Sequence, residues 1–182
     1  MSSPIKPASG RRIITKRGVY GGVVFLAGLL LALVAWRAYS PGDSETVTVL
    51  SQLRYLGRSL DGGSGERMQW VFPEGYVFTW ALYGLASAQV AEQLPREDPR
   101  RADLLDRTRT AVDRVDSQFA RSTFPLRLDP PRGTFYCAWS LYLRAHHVRA
   151  AGVSDVSAEF LEKFEEDCAE FAAAIDRSPT RR

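Results

Sequence analysis

Cysteine and histidine, the residues best suited to metal or nucleophilic chemistry, are scarce in this chain. The only two histidines, His146 and His147, are adjacent. On a helix their side chains point about 100° apart, so they do not bind one metal as an i, i+4 pair does. The sequence also has no Ser-His-Asp order, phosphate loop or zinc-type spacing. We therefore expect no metal site and no cofactor.

The two cysteines, Cys137 and Cys168, fall one on each helix of a predicted hairpin that turns near Gly152. An antiparallel pairing about that turn places them level, so a disulfide is geometrically feasible, and an exported location permits it. Such a bond closes a loop of roughly 30 residues and contributes about 3 kcal/mol. The alternative is two free thiols that pack as small apolar groups. We favour the disulfide.

A repeated motif must position these residues. Pro-x-Gly at Pro73 and again at Pro131 opens an aromatic, apolar run, in which Trp-Ala/Ser-Leu-Tyr-x-x-Ala falls in register. Trp80 and Trp139 are thereby matched, 59 residues apart. A more polar, amphipathic stretch follows each copy. The pattern predicts an all-α fold with a duplicated helical hairpin, in which the first helix is buried and the second half-exposed. The hairpins are expected at about 74–121 and 133–176.

Local signals set the helix ends. Asp98-Pro99 predicts a helix start, because aspartate caps the free backbone N–H groups and proline fits the first helical position. That helix is expected to continue to Arg121. Gly152 predicts the end of the next long helix, and Ser154 or Asp155 is expected to cap the last one. The last helix carries an apolar stripe formed by Val156, Phe160, Phe164, Cys168, Phe171 and Ile175.

The positive charge of the chain is confined to its N-terminus. The net charge is +3, but six basic and no acidic side chains precede residue 40. Residues 40–182 therefore hold 18 basic against 21 acidic side chains, a net charge of −3. A nucleic-acid-binding domain needs clustered positive charge on its folded part. We therefore exclude nucleic acid as a partner.

Gly18 to Trp36 form a run of 19 uncharged residues, which at about 1.5 Å rise per residue nearly matches a membrane's hydrocarbon core. The five positive charges before it predict a cytoplasmic N-terminus. A cleaved signal peptide is the competing reading, but the run is long and ends in Trp36-Arg37, which fits cleavage poorly. The predicted organisation is a cytoplasmic tail (1–17), a single-pass transmembrane anchor in contact with the bilayer (18–39), an extracytoplasmic helical domain (44–177) and a frayed tail (178–182).

The Pro-x-Gly-aromatic start of each buried helix, and Gly133-Thr134-Phe135-Tyr136-x-x-Trp139 in particular, resembles the inner helices of α/α-toroid proteins. The resemblance covers about residues 66–176. That architecture closes six helical hairpins in many glycosidases and polysaccharide-active enzymes. This chain has room for two hairpins and a partial pair, so it departs from a closed toroid.

In α/α-toroids, loops at the start of the inner helices surround the substrate. The resemblance therefore implies a site at Glu74, Tyr76, Arg132, Phe135 and Tyr136. Retaining or inverting glycosidases need two carboxylates about 5–9.5 Å apart, and Asp129 is the other loop acid near a repeat start. Glu74 has an alternative role, because an acid at a helix N-terminus complements the macrodipole. The aromatic residues among them, Tyr76, Phe135 and Tyr136, have an alternative role as side chains of the apolar core.

These features favour a membrane-anchored domain that binds a protein partner or itself, as an accessory subunit of an envelope complex. The anchor, the incomplete repeat array and the lack of a coherent catalytic set all point that way. An enzyme or carbohydrate-binding module of α/α-toroid type, with a cleft at the repeat-start loops, is the alternative. We do not expect an enzyme on this sequence, although the resemblance keeps that possibility open.

Overall fold

A computed structural model describes residues 43–178 of the chain. The chain divides into two compact units, Met1–Val49 and Leu50–Arg182. Of the first unit the structure describes only 43–49, the first turns of one helix. The fold described below is that of the second unit.

Within the described residues the chain forms helices and no strands, which confirms the predicted all-α class. The elements are α1 (Asp43–Asp61), α2 (Ser64–Val71), α3 (Gly75–Gln93), α4 (Pro99–Val115), α5 (Gln118–Ser122), α6 (Gly133–Ala151), a 3-10 turn (Val153–Asp155) and α7 (Ala158–Arg177).

Helices α3 and α4 form the first hairpin and pack most extensively of all pairs. Arg114 lies over the Trp80 ring, 5.5 Å from its centroid, and Arg107 donates to the Tyr83 hydroxyl at 3.0 Å. Because residue numbers rise along α3 as they fall along α4, the two helices are antiparallel. Apolar side chains of both helices fill the core between them.

Helix α6 lies beside α3 in a parallel orientation. Phe78 meets Trp139 edge-to-face, with ring centroids 5.2 Å apart, and Gly84 faces Leu143. A Cβ at Gly84 would lie 2.6 Å from both Leu143 Cδ1 and Ala111 Cβ, so only glycine permits this approach of three helices. Gly84 and Leu143 are 59 residues apart, the offset of the sequence repeat.

Helix α7 packs mainly on α6, and together they form the second hairpin. Arg144 pairs with Asp167 at 2.6 Å, and the His147 and Phe160 rings lie 5.7 Å apart. Ala174 is the one buried residue of α7. The apolar stripe predicted for this helix is therefore only half-covered.

The structure confirms two of the predicted helix ends and corrects two. Asp98 accepts from the Arg100 backbone N–H before Pro99, and Gly152 ends α6. Ser157 caps α7 in place of Ser154 or Asp155, because those two residues lie in or at the end of a 3-10 turn. The long helix from Pro99 ends at Val115, not at Arg121. There Ser117 caps the separate helix α5.

None of the helices in residues 43–178 is long and apolar enough to span a membrane. The predicted cytoplasmic tail and transmembrane anchor, residues 1–39, lie outside the described residues, as does most of the predicted frayed tail.

Candidate functional site

A polar cleft of about 230 Å³ opens between the C-terminal end of α4, the start of α6 and the middle of α7. At its centre is Arg144, on α6, whose side chain is nine-tenths buried. Its guanidinium bridges two carboxylates, Asp116 after α4 and Asp167 on α7 at 2.6 Å. These two ion pairs connect α6 with α7 and with the C-terminal end of α4.

Further hydrogen bonds surround Asp116. The Ser140 hydroxyl donates to its Oδ1 at 3.2 Å, and the Tyr136 hydroxyl lies 3.3 Å from the same atom. Arg121 donates to the Tyr136 hydroxyl at 3.1 Å. Arg132, which has a left-handed backbone at φ 73°, donates to the Arg121 carbonyl oxygen at 2.8 Å. The wall of the cleft is thus a connected network in which each member fixes the next.

The ionisation states in the cleft follow from this network. Burial lowers the pKa of Arg144, but the neighbouring Asp116 and Asp167 outweigh it and raise the pKa overall. Burial raises the pKa of Asp167, yet hydrogen bonds from Lys163 and Arg144 outweigh it and lower the pKa overall. Burial, with Asp116, raises the pKa of the Tyr136 hydroxyl. Asp167 is therefore a carboxylate at neutral pH and Tyr136 a neutral phenol.

This arrangement is suited to holding structure rather than to proton transfer. A general acid needs a pKa close to the working pH, and the pKa of Asp167 moves away from it. Both carboxylates are occupied by one buried guanidinium. One polar atom of the cleft, Arg144 Nε, is buried and has no hydrogen-bond partner.

An apolar groove of about 510 Å³ lies between α6 and α7 and adjoins the polar cleft at Leu141 and Phe171. Trp139, Tyr142 and Ala145 line it from α6, and Phe164, Cys168 and Phe171 line it from α7. Tyr142 is 51% exposed, and its ring meets those of Trp139 and His146 edge-on. The groove is therefore an accessible, mainly aromatic surface with few polar groups, of the kind that marks interaction sites.

The residues implied by the α/α-toroid resemblance are divided between different surroundings. Arg132 and Tyr136 both line the polar cleft. Phe135 lies outside that lining, exposed and stacked on Phe124. Tyr76 is buried in the core of the first hairpin and contacts Phe119 and Trp80.

The two candidate catalytic carboxylates are not part of the cleft. Asp129 is exposed and paired with Arg177 at 2.7 Å. Glu74 precedes α3, half-buried, and its side chain makes no capping hydrogen bond. Neither residue lines the polar cleft or the apolar groove. No contact joins them as an acid–base pair in the described part of the chain.

The predicted disulfide is not present: Cys137 and Cys168 are free thiols. Cys137 lines the polar cleft and its thiol lies 3.3 Å from the Pro131 carbonyl oxygen, whereas Cys168 lines the apolar groove. The cleft and the groove adjoin, since Leu141 and Phe171 line both, but each cysteine lines only one of them. Burial raises the pKa of both thiols, which keeps them protonated and of low reactivity.

His146 and His147 also face different surroundings. His146 lies 3.7 Å from Glu92 and beside Tyr142, while His147 packs on Phe160. Burial, followed by the charge of Arg109, lowers the pKa of His147. Among residues 43–178 there is no cluster of three metal-ligating side chains.

The sequence reasoning missed the central members of the polar cleft: Arg144, Asp116 and Asp167. One signal was available, since Arg144 follows the apolar run Leu141-Tyr142-Leu143, and a charge buried among apolar side chains requires a partner. Its carboxylate partners, Asp116 and Asp167, lie 28 and 23 residues away in the sequence, and no spacing rule identifies them.

Comparison of the chain with protein-family models, curated proteins and solved structures finds no match.

Proposed function

We propose that this chain is a single-pass membrane protein whose extracytoplasmic helical domain binds a protein partner, as an accessory subunit of an envelope complex. The observation that carries the proposal is the open apolar groove between α6 and α7. The membrane anchor at residues 18–39 comes from the sequence alone.

The groove supports binding because it lies where the repeat array stops. In stacked helical repeats each repeat covers the apolar face of the next, and the terminal repeat needs a cap. Here α7 contacts mainly α6, and its apolar stripe has no further helix over it in the described residues. A partner helix on that face would supply the missing layer.

The chemistry of the polar cleft favours binding over catalysis. Its carboxylates are held by Arg144, and the two loop acids Glu74 and Asp129 lie apart from it. A hydrolase of the α/α-toroid type requires two placed carboxylates. Glu74 and Asp129 do not form such a pair, and Asp116 and Asp167 both bind the Arg144 guanidinium.

The test is site-specific photo-crosslinking of the full chain in its native membrane. A photoreactive residue at Tyr142 is expected to capture one protein, identified by mass spectrometry, in near-stoichiometric yield. The control is the same residue at Trp70, which is 91% exposed and outside the groove. Capture of nothing, or equal capture from both positions, would contradict the proposal.

A carbohydrate-binding or enzymatic module of α/α-toroid type is a second candidate. One observation favours it: Arg132 and Tyr136, which the resemblance nominates, line the same cleft as the unpartnered Nε of Arg144. A glycan array probed with the full chain tests it. This function would be supported if the wild-type chain binds a glycan that the Arg132→Ala variant, with an unchanged Tm, no longer binds. An array without bound glycans would contradict it.

A further inference from the structure

We propose that the partner element in the α6–α7 groove is a basic amphipathic helix. The inference rests on the proposed function, since it specifies what that groove binds. It follows from the length of the groove, its apolar lining and the charge along its rim.

The groove has the dimensions of a helix-binding site. Its lining runs from Ala138 to Ala145 on α6 and from Phe164 to Phe171 on α7. Eight residues of helix extend about 12 Å at 1.5 Å per residue. That length accommodates apolar anchors at positions i, i+3 or i+4 and i+7 of a partner helix, the spacing by which amphipathic helices bind in grooves.

The α7 side of the groove belongs to an acidic helix, although Asp167 and Glu170 of that helix line the polar cleft and not the groove. Helix α7 carries seven acidic and two basic side chains, a net charge of −5. Both basic residues already have carboxylate partners: Lys163 pairs with Asp167 at 2.9 Å, and Arg177 with Asp129 at 2.7 Å.

Glu165 brings this negative charge to the groove itself. It is exposed and lies one turn before Cys168, which lines the groove. Because residues three apart on a helix are neighbours, the Glu165 side chain lies beside Cys168 at the edge of the groove lining. Glu165 is thus the acid placed to meet a bound helix.

The opposite rim offers little positive charge to offset it. Arg149, at the end of α6, pairs with Glu92 at 2.7 Å. A partner helix bearing Lys or Arg on the flanks of its apolar face therefore complements the rim, and complementary charge speeds association and selects partners. A second copy of the domain would bring two acidic α7 helices together, and anionic lipid headgroups would also be repelled.

The test measures peptide binding to the full chain in nanodiscs of phosphatidylcholine, with empty nanodiscs as background. The probes are three fluorescein-labelled 18-residue peptides: an amphipathic Leu/Lys helix, the same helix with Glu for Lys, and a scrambled Leu/Lys sequence. Fluorescence anisotropy is expected to give the Leu/Lys helix a Kd at least tenfold below those of the other two. Its Kd is expected to rise with salt.

Matched variants locate the interaction. Glu165→Lys is expected to weaken Leu/Lys binding three- to tenfold. The same reversal at Glu166, on the other side of α7 and paired with Lys163 at 3.5 Å, is expected to leave binding within twofold. Tyr142→Ser is expected to weaken binding of every peptide that occupies the groove, and Trp70→Ser is its control.

The outcomes separate this inference from the proposed function. The Leu/Glu and Leu/Lys helices could bind equally well, with binding weakened by Tyr142→Ser but not by Glu165→Lys. That result would overturn the basic character of the partner but would leave the groove as the docking surface. Binding insensitive to Tyr142→Ser would overturn both. Concentration-dependent dimerisation lost in Tyr142→Ser would replace the partner with a second copy.

Discussion

The two helical hairpins use the same sequence motif but differ in burial. In the first, α4 buries Leu104, Thr108, Ala111, Val112 and Val115 against its neighbours. In the second, α7 buries only Ala174. Trp80 and Trp139 occupy matching positions in the repeat, yet Trp80 is 2% exposed and Trp139 is half-buried beside the apolar groove. The motif thus sets the helices, while position in the array sets which faces remain open.

The difference between the hairpins also separates stability from binding. The first hairpin contains most of the apolar core. The second is held by a polar network and leaves the adjoining apolar groove open. Substitutions in the first hairpin should therefore reduce folding free energy, and those in the groove should reduce binding.

The matched tryptophans give the largest expected contrast. Trp80→Ala is expected to cost about 3–5 kcal/mol, because it removes a large, fully buried side chain. Trp139→Ala is expected to cost about 1–2 kcal/mol, since part of its surface is already in water in the folded protein. Denaturant unfolding of both variants measures the difference. Equal losses would remove the distinction between the hairpins.

Arg144→Ala is expected to destabilise the protein by about 2–4 kcal/mol, because it removes the buried guanidinium that Asp116 and Asp167 share and leaves them only the more exposed Arg121 and Lys163. The Asp116→Asn/Arg144→Ala double variant is expected to recover part of the loss. Urea unfolding of the single and double variants tests this. A loss below about 0.5 kcal/mol in the single variant would show that the network does not hold the second hairpin in place.

Asp167→Asn gives a smaller, pH-dependent effect. Because its pKa is lowered below the model-compound value of 3.8, the carboxylate stabilises the folded state above that pH and ceases to do so as pH falls through the folded-state pKa. The free energy of unfolding of the wild type is expected to exceed that of Asp167→Asn by about 1 kcal/mol at pH 7. The gap should close as the pH falls below 3.8 and through the lowered folded-state pKa. A gap that stays constant from pH 7 to pH 2.5 would contradict the ion pair.

The cysteines give the smallest expected effect. Because both are free thiols, Cys137→Ser/Cys168→Ser is expected to change stability by less than about 1 kcal/mol, far below the roughly 3 kcal/mol of a disulfide. Thiol titration of unreduced, denatured protein is expected to find two thiols per chain. Detection of none would restore the predicted disulfide.

Local signals in the sequence identified much of the fold. Asp98-Pro99 and Gly152 act within a few residues, and the helix ends follow them. The break after Val115 was missed although Ser117, which caps the next helix, is a local signal. The disulfide was wrongly predicted because register along a hairpin places two residues level without showing that their side chains meet.

The sequence identified part of the polar cleft and did not identify the groove. Arg132 and Tyr136 came from a motif at the helix start. The apolar stripe of α7 was visible at helical spacing, but that spacing is the same for a covered and an open face. Only the packing of α6 and α7 reveals which of the two it is.

Hydroxyl-radical footprinting of Tyr142 tests the central claim most directly, that a partner covers the open groove of the second hairpin. The full chain is labelled in the cells that naturally express it and again after purification, with Trp70 as the exposed reference. The account predicts that Tyr142 is protected in cells and labelled after purification, while Trp70 is labelled in both. Equal labelling of Tyr142 in both states would contradict it.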